Sequence, residues 1–280
     1  MNQVKTGLLM AAFGALAVGI GAYFLGQNGA LIGLMVAFGF QAFAFFNGHK
    51  MAIRMAHGVP FDELDPRVQN QLGWLSQANE ELSRRAGIPA PKLYISPDPQ
   101  PNAFAAGRNP NVAVVCFNEG LINLMNRDEV VAVLAHELGH VKNRDTLIMT
   151  VTAAFTTFIS LLANIAWFIP AGDNENRNPF VDLLMMVLAP ITATLIQLAV
   201  SRTREYGADR TAAELVGSPE PMIRALQSLE RGVTQIPSAT AQPQTAHMYV
   251  AAPFNAGGFA KLFMTHPPIS DRVRALRDLR

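Results

Sequence analysis

The sequence predicts a mainly α-helical membrane protein of the α+β kind, with four transmembrane helices and a small β-sheet in its water-exposed part. Two observations predict this class. Hydrophobic residues make up 50% of the 280 residues and charged residues only 15%, whereas soluble domains carry about 25% charged residues. The apolar residues are also concentrated in four long uncharged runs, which come in two pairs with charged, mixed sequence around them.

The first apolar pair lies in residues 1–49, which we predict to form a transmembrane hairpin. Residues 6–49 contain no Asp, Glu, Lys or Arg, and this run is about twice the roughly 20 residues that one spanning helix needs. The turn-forming residues Gly26-Gln-Asn-Gly29 divide it, so we predict spans at 7–25 and 30–47. A cleaved signal peptide would be shorter and would not be followed at once by a second span.

The second apolar pair predicts another hairpin in residues 146–201. Residues 146–172 and 183–201 contain no charged residue, and a short polar loop separates them. We predict the third and fourth spans at 146–171 and 182–201. The alternative is a pair of buried helices in the core of a soluble domain.

Lysine and arginine residues beside the apolar runs predict the orientation. They flank the runs where the chain enters or leaves each hairpin: Lys5, Lys50, Arg54, Lys142, Arg144, Arg202 and Arg204. The positive-inside rule therefore places both termini and the segments 50–145 and 202–280 in the cytoplasm. We predict a multi-pass protein of the cell inner membrane with the lipid bilayer as a partner. The net charge of +1 gives no indication of a nucleic-acid partner.

The two water-exposed segments predict short helices and strands. The predicted elements are an amphipathic helix at 62–86, a strand at 92–96, a hairpin of 102–107 and 112–117, helices at 127–143, 219–231 and from 270 to the end, and a long mobile loop at 232–258. The chain has one cysteine, Cys116, which excludes an intrachain disulfide. Its apolar neighbours predict a buried strand residue.

His136-Glu-Leu-Gly-His140 is the segment that indicates chemistry. Residues four apart lie on the same face of a helix, so the two imidazoles can bind one metal ion. Glu137 lies beside that ion without needing to bind it and can accept a proton from water, as in His-Glu-x-x-His zinc peptidases. Imidazole and carboxylate ligands favour zinc, one ion per chain. Gly139 weakens a helix by about 1 kcal/mol relative to Ala, so we expect another element to approach closely there.

A catalytic zinc needs a third protein ligand and one open position. The other histidines do not follow His140 at the spacing of the longer metzincin motif. An antiparallel hairpin of the third and fourth spans would return the chain to the level of His140 just before Glu205 and Asp209. These two carboxylates are four residues apart, so one can bind the metal while the other orients a ligand histidine. The alternative is the charged, solvated start of a helix.

These segments resemble the HtpX family of membrane-integrated heat-shock proteases, which are related to the CAAX prenyl proteases. The resemblance rests on His136-Glu-Leu-Gly-His140, Ser201-Arg-Thr-Arg-Glu-Tyr-Gly-Ala-Asp209, Asn102-Ala-Phe-Ala105, and Thr265-His-Pro-Pro268 with Arg272, and it covers nearly the whole chain. It implies a zincin-type, gluzincin-like metalloprotease domain in the cytoplasm, with Glu205 as the third zinc ligand and Asp209 as a supporting residue. It also implies cleavage of misfolded or damaged membrane proteins, and of other unfolded polypeptides, in a stress response.

Two further sites are predicted with the support of this resemblance. An extended substrate commonly pairs with an edge strand beside the metal, and the candidate strand is Asn102, Ala103, Phe104 and Ala105; the alternative is an ordinary hairpin. His266 and Arg272 lie around a Pro-Pro turn, and either can donate a hydrogen bond to the oxyanion of the tetrahedral intermediate. The alternative for His266 is a structural turn residue.

A zinc transporter is the main alternative function, because some transporters carry His-Glu-x-x-His on a spanning helix. There the motif would lie in the middle of the membrane, whereas here charged residues at 127–129 and 142–145 place it at the water boundary. The second alternative is a catalytically silent membrane scaffold with a structural zinc. The intact Glu137 argues against it, because a structural zinc site has no need of a base.

Overall fold

The computed structural model describes residues 2–166, 202–235 and 267–279. The chain begins with α1, Asn2–Met55, which is divided into two helical arms at Gly26. Gly26 has φ 60° and ψ −143°, a conformation that an L side chain rarely adopts and glycine adopts readily. The first apolar run is therefore a helical hairpin whose reversal lies within the predicted turn.

The two arms of α1 run antiparallel and in close contact. A side-chain carbon at Gly33 would collide with the Ala17 carbonyl group, so glycine permits the arms to approach. Helix α5, Thr146–Ala166, packs against this hairpin. The rings of Phe13 and Phe155 stack there with centroids 4.2 Å apart.

One described helix, Gly26–Met55, is long and apolar enough to cross a membrane, and only 22% of its most apolar stretch is buried. The core helix of a soluble protein would be mostly buried, so this surface fits a lipid environment better than a soluble core. Phe38, for example, is 75% exposed. Thr146–Phe155 is a shorter apolar helix. Residues 167–201, with the predicted loop and fourth span, lie outside the described residues, so four transmembrane helices stay a prediction.

A small mixed β-sheet follows the α1 hairpin along the chain. Its strands are β1 Val59–Pro60, β2 Lys92–Ser96, β3 Ala103–Ala106 and β4 Val114–Asn118. They lie in the order β1-β2-β4-β3, with β2 and β4 parallel and the other neighbours antiparallel. The strand predicted at 92–96 and the hairpin predicted at 102–117 are both present, and β3 lies at one edge. Burial of Cys116 in β4 raises the pKa of its thiol well above the usual range, as expected of a buried strand residue.

Six further described helices complete the fold. They are α2 Pro66–Ala86, α3 Glu119–Leu124, α4 Arg127–Lys142, α6 Arg202–Val216, α7 Glu220–Gln235 and α8 Ile269–Arg277. Asp65 caps the start of α2, where its side chain accepts the Arg67 N–H, and Gly87 with φ 72° caps its end. Its buried face, which includes Leu75 and Leu82, joins the core around α4. Four of these helices, α2, α4, α7 and α8, match predicted ranges, and α6 has the helical spacing assumed for Glu205 and Asp209. β1 and α3 were not predicted.

Candidate metal centre

α4 carries the His-Glu-x-x-His segment and is fixed at its start. Asn126 and Glu129 form a capping box there, in which each side chain accepts a hydrogen bond from the other residue's backbone N–H. Such a cap stabilises a helix by about 1 kcal/mol. Leu138, between the two histidines, is fully buried in the core. The helix therefore holds His136 and His140 in the interior, against the later helices.

α6 lies directly on α4 at Gly139. A Cβ atom at this position would be 3.1 Å from Ala208 Cα and 3.2 Å from Thr211 Cβ. From Gly139 we expected another element to approach α4 closely, and α6 does so. It brings Glu205 and Asp209, one turn apart on α6, against the two histidines.

His136, His140 and Glu205 converge in the interior. Nε2 of His136 is 3.7 Å from Glu205 Oε2, and Nε2 of His140 is 3.6 Å from Oε1 of the same carboxylate. One ligand atom from each residue lies within 4.8 Å of the others. Because zinc takes such ligands at about 2 Å, donor atoms at these separations can share one ion. Two imidazoles and one carboxylate are also a donor set of catalytic zinc sites, so these residues fit the metal that the sequence predicts.

Asp209 holds His136 from behind. Its Oδ1 is 2.9 Å from His136 Nδ1. The guanidinium of Arg272 in turn donates two hydrogen bonds to Asp209, from Nε at 2.8 Å and from Nη2 at 2.7 Å. Arg272 is 0% exposed, and its Nη1 is 3.7 Å from Glu205 Oε2. The bidentate pair fixes the carboxylate, which fixes the imidazole with Nε2 towards the centre.

Asp145 does for His140 what Asp209 does for His136. Its Oδ2 is 3.1 Å from His140 Nδ1, and the residue is 1% exposed. The turn that ends α4 places it there: the Arg144 N–H bonds Val141 O, and the Asp145 N–H bonds His140 O. These are the two hydrogen bonds of a Schellman motif. The sequence analysis did not predict this role of Asp145. The indication that it could have used is an acidic residue five positions after the second histidine.

Electrostatics at the centre are dominated by carboxylates. Burial opposes charge on His140, but the hydrogen bond to Asp145 and the charges of Glu205 and Glu137 outweigh it and raise the pKa of His140 to about 9. Burial likewise opposes charge on Asp209, but Arg272 outweighs it and lowers the pKa of that carboxyl. A buried site with this excess of acidic groups attracts a cation.

Glu137 is buried beside the ligand histidines. It is 3% exposed, and its charge acts on both His140 and Arg272. It follows the first histidine on α4, so its carboxylate belongs to the same cluster as the imidazoles. Its burial beside His140 agrees with the position expected from the sequence, and its role as the base stays a prediction.

The remaining predicted site residues differ in how far the structure describes them. Asn102, Ala103, Phe104 and Ala105 are all buried, and the last three lie in the edge strand β3, which packs against α4. Their role in substrate binding stays a prediction. His266 lies outside the described residues. Arg272 is buried behind His136 with its guanidinium bonded to Asp209, a geometry that favours orienting the centre, and its predicted oxyanion contact stays a prediction.

Fold and site together define a class: membrane metalloproteases with a His-Glu-x-x-His helix and a glutamate from a later helix. Residues 69–280 match the model of Peptidase family M48. The chain is 41% identical over 283 aligned positions to the Protease HtpX homolog of Pelotomaculum thermopropionicum, covering 99% of this chain and 98% of that protein. It is 40% identical to the Protease HtpX homolog of Sulfurihydrogenibium sp., covering 99% of this chain and 96% of that one.

The chain therefore belongs to peptidase family M48, with the HtpX proteases, and is a metalloendopeptidase. A solved structure, the crystal structure of S. mikatae Ste24p, superposes with a TM-score of 0.49 at 19% identity. The superposition covers 98% of this chain, which spans only 64% of that longer one.

Proposed function

We propose that this membrane metalloprotease is a zinc-dependent endopeptidase that cleaves misfolded or damaged membrane proteins at the cytoplasmic face. The observation that carries the proposal is the convergence of His136, His140 and Glu205, with each imidazole held at Nδ1 by an aspartate. The basic residues at the ends of the apolar runs support the cytoplasmic face. Family membership disfavours the transporter and the silent scaffold.

In this proposal His136, His140 and Glu205 hold the zinc ion. Zinc, when bound, supplies Lewis acidity that polarises the scissile carbonyl and lowers the pKa of water. Glu137 accepts the proton of the attacking water on its carboxylate and then delivers it to the leaving amine. Asp145 and Asp209 keep each Nδ1 protonated, so that both Nε2 lone pairs point to the metal.

The edge strand β3 supplies the substrate contact in this proposal. An extended peptide pairing with Asn102 to Ala106 would use backbone hydrogen bonds, which do not depend on the substrate's side chains. Only chain that is already unfolded can adopt this extended form. The expected preference is therefore for misfolded over folded proteins.

The test uses the purified full chain. We expect it to cleave casein and an unfolded membrane protein, to spare the folded form, to lose cleavage on chelation and to regain it with zinc but not with magnesium. A second measurement, zinc flux into proteoliposomes, tests the two alternative functions. Flux without any cleavage would establish the transporter, and bound zinc with neither flux nor cleavage would establish the scaffold.

A further inference from the structure

Thr150 of α5 is the point where the membrane hairpin meets the sheet. Its Oγ1 accepts a hydrogen bond from the Gly107 N–H at 3.1 Å. On its other side, a Cβ at Gly48 of α1 would lie 2.5 Å from Thr150 Cγ2, so the two helices touch there. The end of β3 is therefore fixed against α1 and α5 at one level.

Arg108, the next residue along the chain, lies on the aromatic face of α1. Its guanidinium carbon is 5.0 Å from the ring centroid of Phe46 and 5.9 Å from that of Phe45, within the range of cation–π attraction. Gly107 has φ 146° and packs so close to Ala113 that no side chain fits, which fixes the turn leading to Arg108. Within the described ranges no acidic side chain forms an ion pair with Arg108.

The exposed face of α1 changes from apolar to basic at the same level. Phe43 and Phe46 are 50% and 55% exposed, and Lys50 and Arg54 follow on the same face at helical spacing and are exposed too. Such a change from aromatic to basic side chains marks the boundary between hydrocarbon and headgroups. In a bilayer, this level of α1 and Arg108 beside it would lie at the depth of the lipid phosphates.

His49 lies beside these two cations. Lys50 and Arg108 are close enough for their charges to act on its imidazole. Its Nδ1 is buried and has no hydrogen-bond partner in the part of the chain that the structure describes. His49 thus offers a ring nitrogen without a described hydrogen-bond partner close to two cations.

We propose that Arg108, Lys50 and His49 form a binding site for the phosphate of an anionic phospholipid of the surrounding bilayer. The planar guanidinium suits two phosphate oxygens, and Lys50 adds a mobile point charge. The acyl chains lie along Phe43 and Phe46, an apolar surface that a free phosphate ion would not need. Because Arg108 directly follows Gly107, a bound headgroup also fixes the end of β3 at the membrane surface.

Native mass spectrometry of the purified full chain, titrated with phosphatidylglycerol or phosphatidylcholine, tests the site. We expect tighter binding of phosphatidylglycerol, and binding about fivefold weaker in each of Arg108→Gln and Lys50→Gln, since a basic residue near the surface contributes about 1 kcal/mol. Arg108→Lys should lose less. The matched control is Arg127→Gln. Arg127 is exposed, and its guanidinium carbon lies 5.4 Å from the ring centroid of Trp74, but it is far along the chain from α1.

Three results would overturn the proposal: equal affinity for the two lipids, unchanged affinity in both Gln variants, or an equal loss in the Arg127 control. Displacement of the lipid by an equal concentration of inorganic phosphate would assign the site to a free anion instead. If Arg108→Gln does not fold, the exposed Lys50 carries the test alone. The readout is lipid binding, so its outcome is independent of peptidase activity.

Discussion

At the scale of single residues, the centre is built from two parallel arrangements. The Nδ1 atom of each histidine lies within hydrogen-bonding distance of an aspartate carboxylate, that of Asp209 for His136 and that of Asp145 for His140. The two histidine–aspartate pairs differ in the contacts that position the aspartate. Asp209 receives two hydrogen bonds from the buried Arg272, whereas Asp145 is positioned by the backbone turn that ends α4.

Both aspartates should therefore contribute to zinc affinity without binding the ion. We expect Asp145→Asn and Asp209→Asn each to weaken zinc binding about 10–100-fold, because a neutral amide replaces the charged carboxylate that accepts from the imidazole and orients it. Glu205→Ala, which removes a ligand, should weaken it more. Competition with a chromogenic chelator measures all three. The matched control is Asp128→Asn, an exposed position in the first turn of α4. Unchanged zinc affinity in Asp145→Asn would show that the Asp145 hydrogen bond is dispensable.

Replacement of Glu137 by glutamine tests the proposed chemistry. Gln keeps the shape of Glu137 but cannot accept a proton, so the variant should hold one zinc and lose about 10²–10⁴ in cleavage rate. Zinc stoichiometry and casein cleavage are measured on the same sample. Glu119→Gln, an exposed glutamate in α3, is the control and should behave as wild type. Loss of zinc would make Glu137 a ligand, and full activity would refute its role as the base.

Residue spacing predicted which side chains gather at the centre, but it left open which of Glu205 and Asp209 binds the metal, and the resemblance to the HtpX family selected Glu205. His136, His140, Glu205 and Asp209 stand at helical spacings of four, and helical spacing fixes which side chains share a face. Asp145 could not be found in this way. Its contact depends on Arg144 adopting φ 57°, and helices that end this way usually carry glycine there.

At the scale of elements, the contact of α4 with α6 decides whether the site exists. Its two halves come from segments more than 60 residues apart in the sequence, and Gly139 lets the helices approach until Ala208 and Thr211 fill the space where a side chain would be. Because interiors are closely packed, the contact cannot absorb added atoms without moving one helix.

Gly139→Ala should therefore disrupt the centre although alanine favours helices. The added methyl group would push α6 away, and overpacking of this kind costs about 1–3 kcal/mol. We expect a lower unfolding temperature and weaker zinc binding. Gly73→Ala in α2 is the matched control, because a Cβ there meets no atom within 4 Å. It should be neutral or stabilising by up to about 1 kcal/mol. A Gly139→Ala protein as stable as wild type would show that the helices can separate freely.

Two features of the sheet escaped prediction because distant contacts shape them. β1, Val59–Pro60, has only two residues, and its strand character comes from pairing with β2. The parallel pairing of β2 with β4 joins segments separated by the whole of β3. Local periodicity identifies strands such as β2, but it carries no information on such non-local partners.

At the scale of the whole molecule, the membrane hairpin and the catalytic helices meet along α5. Phe155 packs into the α1 hairpin, while Asp145, immediately before α5, bonds His140. The metal centre therefore lies next to the N-terminal end of the apolar helix α5, and its position at the membrane boundary stays a prediction from the charges around the motif.

The side of the membrane on which the centre lies is the last prediction. The basic residues predict that residues 50–145 are cytoplasmic and that the tip of the second hairpin faces the other side. A membrane-impermeant maleimide applied to intact cells should label a cysteine placed at Asn174 and spare one at Asn70, which is exposed on α2. The native Cys116 is 0% exposed and should contribute no background. Permeabilised cells provide the control, since both positions should then react. Strong labelling at Asn70 in intact cells would reverse the orientation and place the proposed proteolysis outside the cytoplasm.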